Sequence, residues 1–223
     1  MIALPPVLRI FPLGEVVLFP DTLLPLHVFE PRYRKLLTDA LDDDRTIGMV
    51  LIRGADGPVE PAPPDRPDRP AVYDIGCAGR IVEHEPLEDG RSMIVLRGMV
   101  RFRIRRELEV GDPYRVVEAQ ALYEAPIPAE HMRAWRDELR VLVGDYATAL
   151  SGERTPVDKV FEKLDLEGLV NYLSASLPLA VLERQSLLEC ATGEQRFQRL
   201  SAVLRYRVAE ARLGLDSTRE TDA

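Results

Sequence analysis

Near residue 125 the apolar residues of this chain change their spacing, and the change rules out any fold made of one kind of element. Upstream they come in short runs bounded by Pro, Gly and Asp, the texture of β-strands. Downstream they recur every three or four positions, the period of an amphipathic helix. The expected fold class is therefore α+β, with a strand-rich part over 5–125, a helical bundle over 126–213 and a disordered tail over 214–223. The join is Ala125-Pro126-Ile127-Pro128-Ala129, because proline disfavours helix in the residue before it.

Within the first part, Leu8–Leu13, Leu24–Phe29, Thr46–Ile52, Val72–His84, Ser92–Leu96, Val100–Val110 and Tyr114–Leu122 read as strands. Thr46–Ile52 is apolar throughout, as suits a strand buried on both sides. Glu88-Asp89-Gly90-Arg91 reads as a hairpin with a type I′ turn. Short strands at this spacing suggest a barrel or folded sheet, which avoids open edges by closing on itself. One helix interrupts them. Pro31 suits its first turn, and Tyr33, Leu36, Leu37, Ala40 and Leu41 share a face. Residues 53–71 form a Pro-rich insertion with almost no bulky apolar residue, and read as a mobile loop.

In the second part Met132, Trp135, Leu139, Leu142, Tyr146 and Leu150 make an amphipathic stripe. Val157, Val160, Phe161 and Leu164 begin another, which resumes with Leu169, Val170 and Leu173 after a break at Gly168. Leu182, Leu187 and Leu188 mark a short helix after Pro178, and Phe197, Leu200, Leu204 and Val208 mark the last. Four or five such helices make a small bundle.

Composition narrows the function. The net charge of −8 speaks against a nucleic-acid binder, whose affinity comes from cations neutralising phosphates. No apolar run approaches the ~20 residues of a membrane-spanning helix, and the proline-broken start does not read as a signal peptide. Cys77 and Cys190 form no framework, and a cytoplasmic location is expected.

The order of segments resembles a known family. Phe11-Pro12-Leu13 precedes Val17-Leu18-Phe19-Pro20 and then Leu24-Pro25-Leu26-His27-Val28-Phe29-Glu30-Pro31-Arg32-Tyr33. Further on come Tyr73-Asp74-Ile75-Gly76-Cys77-Ala78-Gly79-Arg80-Ile81, Asp89-Gly90-Arg91, Leu96-Arg97-Gly98, Arg101-Phe102-Arg103-Ile104, Pro113-Tyr114, Leu177-Pro178 and Gln185-Ser186-Leu187-Leu188-Glu189. From about residue 8 to about residue 210 this is similar to the N-terminal domain of Lon proteases. Each motif is made mostly of packing residues, so the specificity lies in the ordered set. The resemblance implies a PUA-like β-barrel followed by a helical bundle, which in the proteases captures polypeptide and helps assemble the oligomer. The 223 residues contain no Gly-x-x-x-x-Gly-Lys-Ser/Thr phosphate loop, and the chain is expected to be a stand-alone, non-enzymatic member.

Reactive groups are sparse. His27, His84 and His131 are the only histidines, with no spacing that demands a metal or acid–base site. In Glu83-His84-Glu85 the acids point to one face of a strand and the histidine to the other. A nucleophilic cysteine needs a base in an electropositive setting, and Cys77 and Cys190 read instead as small buried residues. No cofactor, metal or catalytic residue is expected. Arg101, Arg103 and Arg105 alternate with Val100, Phe102 and Ile104, which places three guanidinium groups on one face of a strand. The set Phe19, Leu23, Leu24, Phe29 and Tyr33 is expected to be mostly core, with one or two members lining a groove for extended apolar peptide. The candidate substrate-binding residues are Phe19, Phe29, Arg32, Tyr33, Arg80, Arg101 and Arg103. The expected partner is unfolded or tagged polypeptide, or a partner protein. Strand addition at a barrel edge is a second binding mode, and RNA or nucleotide binding through the arginine face is the alternative function.

Overall fold

The structure is a computed structural model that describes residues 4–54, 69–151 and 158–221. These divide into two compact units, Met1–Tyr123 with Ser174–Glu189, and Glu124–Leu173 with Cys190–Ala223. Most of the Pro-rich insertion expected to be mobile lies outside the described residues.

In the first unit β1 (Val7–Leu13), β2 (Leu23–Val28), α1 (Pro31–Leu41), β3 (Thr46–Leu51), β4 (Ile75–Pro86), β5 (Ser92–Leu108) and β6 (Arg115–Leu122) build one six-stranded sheet in the order β2-β5-β4-β3-β1-β6. β6 also pairs with β5, so five strands close into a ring and β2 is left outside it. This is the PUA-like barrel. Leu8, Ile10, Val50, Ala78, Val100, Phe102 and Val117 fill its interior. β3 runs parallel to β1 and antiparallel to β4, and every one of its residues is buried. A parallel neighbour needs a crossover connection, which β2 and α1 supply. α1 starts on Pro31 and buries Tyr33, Leu36, Leu37 and Ala40. Tyr33 stacks on Phe11 of β1 with ring centroids 4.0 Å apart.

Two local expectations are corrected. Ser92–Leu96 and Val100–Val110 are one strand of 17 residues, β5. Gly98, which reads as a break, is a point of close approach, because a Cβ there would lie 1.9 Å from the Phe19 carbonyl oxygen. The β4–β5 turn is also not type I′. Only Gly90 has positive φ, at 79°. The Gly90 N–H donates to the Leu87 carbonyl and the Leu87 N–H to the Arg91 carbonyl, the pattern of a type I turn closed by a glycine bulge. The Asp89 carboxylate accepts from the Arg91 N–H at 3.1 Å, which holds the turn without a second left-handed residue.

α5 (Val181–Leu188) also belongs to this unit, so a single boundary at residue 125 does not describe 174–189. Two buried bonds hold it to the barrel. Gln185 Nε2 donates to the Ile75 carbonyl at 3.0 Å, and Arg101 Nη1 donates to the Leu188 carbonyl at 2.7 Å. A helix cut off from its own bundle is invisible to a periodicity argument, because the periodicity is the same in either place.

The second unit contains α2 (Ala129–Ser151), α3 (Asp158–Lys163), most of α4 (Leu166–Ser176) and α6 (Gly193–Thr221). α2 buries Trp135, Leu139, Val143 and Tyr146, so the stripe passes through Val143 and not Leu142, and Met132 and Leu150 at its ends are exposed. Trp135 stacks between His131 and Phe197. The break after α3 falls at Asp165 instead of Gly168, because the Asp165 carboxylate accepts from the Gly168 N–H at 2.8 Å and caps α4. Arg196, 3% exposed, bonds Asn171 at 2.9 Å and Glu124 at 2.6 Å. α6 continues to Thr221 where a disordered tail was expected from Gly214; one glycine inside a helix costs only about 1 kcal/mol relative to alanine.

Candidate functional site

The seven candidate residues do not converge. Phe19 is fully buried, and its carbonyl oxygen accepts from the Thr22 hydroxyl at 2.8 Å. Tyr33 is buried between Phe11 and the guanidinium of Arg32, which lies 4.6 Å from its ring centre. Burial pushes its hydroxyl pKa above the ordinary tyrosine value. Arg32 is half exposed and paired with Glu30 at 2.8 Å. Arg80 is exposed on β4, opposite Arg97 of β5. Arg103 is exposed, but Arg101 is only 2% exposed because α5 covers it. Arg105 bonds Gln120, and Arg106 pairs with Glu118 at 2.6 Å. The three guanidinium groups expected on one open face are thus one buried clamp, one exposed cation and one group tied to its neighbour strand.

Phe29 is the exception. It is 56% exposed at the end of β2, its ring tilted against His27. Around it the structure assembles a surface that the sequence reading places mostly in the core. Leu23 is 59% exposed on β2, and Met93, 38% exposed, lies opposite His27 on β5. The strand period explains the grouping: Leu26 and Val28 point inward, so Leu23, Pro25, His27 and Phe29 point outward. Across the register the outward residues of β5 are Met93, Val95 and Arg97, and those of β4 beyond them are Glu85 and Glu83. The result is an apolar strip with a carboxylate border. The signal was present in the alternation of Leu23 to Phe29, but every residue of that run except His27 is apolar, so polarity did not separate the faces.

β2 is also an edge. Gly98 donates to the Thr22 carbonyl at 2.9 Å, so bonds to β5 fall at every second residue from Thr22. The backbone groups of Leu23, Pro25 and His27 therefore face away from β5. Pro25, which has no N–H to give, stands where the ladder needs none.

A concavity of about 150 Å³ lies beside the first turn of α1, between Pro12, Tyr33, Arg69, Pro113, Tyr114 and Arg115. Its cations are internally balanced: Glu107 takes Arg69 at 2.7 Å and Arg115 at 2.9 Å. Beside it the Tyr114 hydroxyl donates to Asp39 at 2.6 Å. Burial, with the Asp39 carboxylate, pushes the Tyr114 pKa up to about 12. Hydrogen bonds from Lys35 and Tyr114 hold Asp39 below the ordinary carboxylate range. These contacts tie α1, β5 and the residues before β6 together. Among the described residues no three His, Cys, Asp or Glu side chains gather as metal ligands. Cys77 and Cys190 are both buried, and among the described residues no helix is long and apolar enough to cross a membrane.

Comparison with known proteins gives a consistent picture. The family described as ATP-dependent protease La (LON) substrate-binding domain matches residues 7–205. A Lon protease 2 of Syntrophobacter fumaroxidans is 31% identical over 189 residues, which is 83% of this chain and 22% of that protein. A Lon protease of Dictyoglomus thermophilum is 26% identical over 90% of this chain and 24% of its own length. The chain thus spans about a quarter or less of the curated relatives it matches. The crystal structure of a Lon N-terminal domain protein from Xanthomonas campestris superposes with a TM-score of 0.60 at 25% identity, covering 88% of this chain and 97% of that one. The N-terminal domain of a Mycobacterium avium complex Lon protease, 16% identical, has the same fold, with a TM-score of 0.65 over 91% of this chain and 98% of that one.

Proposed function

Since the chain belongs to the ATP-dependent protease La (LON) substrate-binding domain family, we propose that it is a non-catalytic module that binds extended polypeptide on the outer face and open edge of β2. The observation that carries this reading is the pairing of an apolar strip, Leu23, Phe29 and Met93, with a strand edge whose backbone groups are turned outward. A bound segment in extended conformation would bond to the carbonyls of Leu23, Pro25 and His27 and lay alternate side chains on the strip. Backbone bonds do not read sequence, so such a site accepts many unfolded chains. The strip sets a preference for apolar side chains, and Glu83 and Glu85 at its border favour basic over acidic ones. The same reading makes the protein a cytoplasmic partner of unfolded or tagged polypeptides. RNA binding has no support in the arrangement of Arg101, Arg103 and Arg105.

The test is affinity for a panel of unfolded apolar peptides, measured for the native chain and for Leu23→Ser with Phe29→Ser. Both side chains are more than half exposed, so stability should change by less than about 0.5 kcal/mol. Affinity should fall at least about tenfold, or 1.4 kcal/mol. Unchanged affinity in the double variant would refute the site, and no peptide binding by the native chain would refute the function.

A further inference from the structure

On the inner side of the β4–β5 hairpin, facing α1, lies a groove of about 410 Å³. Its polar lining is Arg34, Lys35 and Thr38 from α1, and His84 and Ser92 from the hairpin. No carboxylate lines it, in a chain whose net charge is −8. We propose that this groove binds a phosphoryl group carried as a monoester dianion, a site separate from the β2 face and independent of the polypeptide reading.

Three observations carry it. First, Arg34 is held but not spent. A Cβ at Gly90 would lie 2.2 Å from Arg34 Nη2, so the guanidinium rests directly on the glycine of the turn. Among the described residues it has no hydrogen-bond or ion-pair partner, in contrast to Arg32 two residues before it, which pairs with Glu30, and Arg91 on the same hairpin, which pairs with Asp89. A planar donor fork without a side-chain partner is the arrangement that takes two oxygens of a phosphate. Second, His84 Nε2 and Ser92 Oγ lie 3.3 Å apart, and Ser92 is only 8% exposed. They supply a hydroxyl and a ring nitrogen from the opposite wall. Neither hydrogen-bonds a carboxylate among the described residues, so the pair is an oxyanion binder and lacks the third group of a nucleophilic triad. Third, four acids close in sequence to the groove are turned away or occupied. Glu83 and Glu85 lie on the opposite face of β4 from His84, Asp89 is engaged by Arg91, and Asp39 is engaged by Lys35 and Tyr114. A dianion entering the groove therefore meets the Arg34 guanidinium directly, while Lys35 is shared with Asp39. Thr38 adds little, because its hydroxyl already donates to the Arg34 carbonyl at 3.1 Å. The glycine is required twice at this spot, for the positive φ of the bulge and for the room Arg34 occupies.

The experiment is a titration of the full chain, at constant ionic strength, followed by the NMR signals of the Arg34 Nε–H and the His84 ring. The probes are inorganic phosphate, a phosphoserine peptide, the same peptide unphosphorylated, and a single-stranded RNA of equal charge. Saturable shifts are expected with the first two and absent with the third. Phosphopeptide binding at least about tenfold tighter than inorganic phosphate assigns the group to a protein side chain. The reverse order assigns it to a small phosphorylated molecule. Arg34→Gln should weaken binding at least about tenfold and Arg34→Lys less, while Arg97→Gln, on the other face, leaves it unchanged. Arg34 is exposed on α1, so these variants fold. Shifts that do not saturate, shifts equal in Arg34→Gln, or tighter binding of the RNA than of either monoester would each overturn the proposal. None of these outcomes bears on peptide affinity at Leu23 and Phe29, so the two sites stand or fall separately.

Discussion

The two halves of β5 obey the same alternation and end in opposite environments. In Ser92–Gly98 the inward residues Ile94 and Leu96 are buried, while Met93 and Arg97 stay exposed on the outer face. In Val100–Leu108 the inward residues Val100 and Phe102 are buried too, but the outward Arg101 is as hidden as they are. What differs is the cover. α5, from far along the chain, lies over the second half and accepts the Arg101 guanidinium on its Leu188 carbonyl. Strand period decides which face a side chain takes, and a remote segment decides whether that face meets water. The uncovered half is the one whose outward side chains meet water.

The largest effect should come from an inward residue of β5. Phe102 is fully buried among Leu8, Ile10, Val50 and Val117, and Phe102→Ala should cost about 3–5 kcal/mol in urea unfolding. Met93→Ala, on the open half, should cost less than about 1 kcal/mol. Equal costs would mean that the apolar strip of β2 and β5 is covered in solution, and the comparison would fail.

Next come the arginines. Arg101→Ala removes a charge-assisted bond and the packing of a buried stem, and should cost about 3 kcal/mol. Arg97→Ala should stay within about 0.5 kcal/mol. Gln185→Ala strips the donor from the Ile75 carbonyl and should cost about 1.5 kcal/mol. Arg101 and Gln185 hold one helix, so the double variant should cost less than the sum of the two. Strict additivity would show that α5 does not dock as a unit.

That dependence on cover also sets what could be read in advance. The ring of strands, the buried β3 and the helix at Pro31 follow from local signals: a fully apolar run, a proline at a helix start, Asp-Gly at a turn. Phe19 and Arg101 could not be sorted from Phe29 and Arg103 in the same way. Phe19 lies outside any strand and Phe29 follows a run that is apolar on both faces, so the pattern assigns neither to core or water, and an arginine in an alternating run carries no mark of the helix that will cover it. The groove beside α1 was hidden for a similar reason. Arg34, His84 and Ser92 are distant in sequence and individually ordinary, and only the packing of α1 on the hairpin brings them together.

The smallest effect is also the sharpest check on reading charge from a strand pattern. Arg105 bonds Gln120, and Arg106 pairs with Glu118 while 69% exposed. Exposed pairs are screened and contribute little, so Arg105→Ala with Arg106→Ala should change stability by less than about 0.5 kcal/mol. The difference should shrink further when unfolding is repeated at 1 M salt, where the screening length falls to about 3 Å. A loss comparable to that of Arg101→Ala, persisting at high salt, would mean that another part of the protein covers this end of β5. The five consecutive residues Arg101 to Arg105 would then form a second clamped surface, and the open outer face would be confined to Ser92–Gly98.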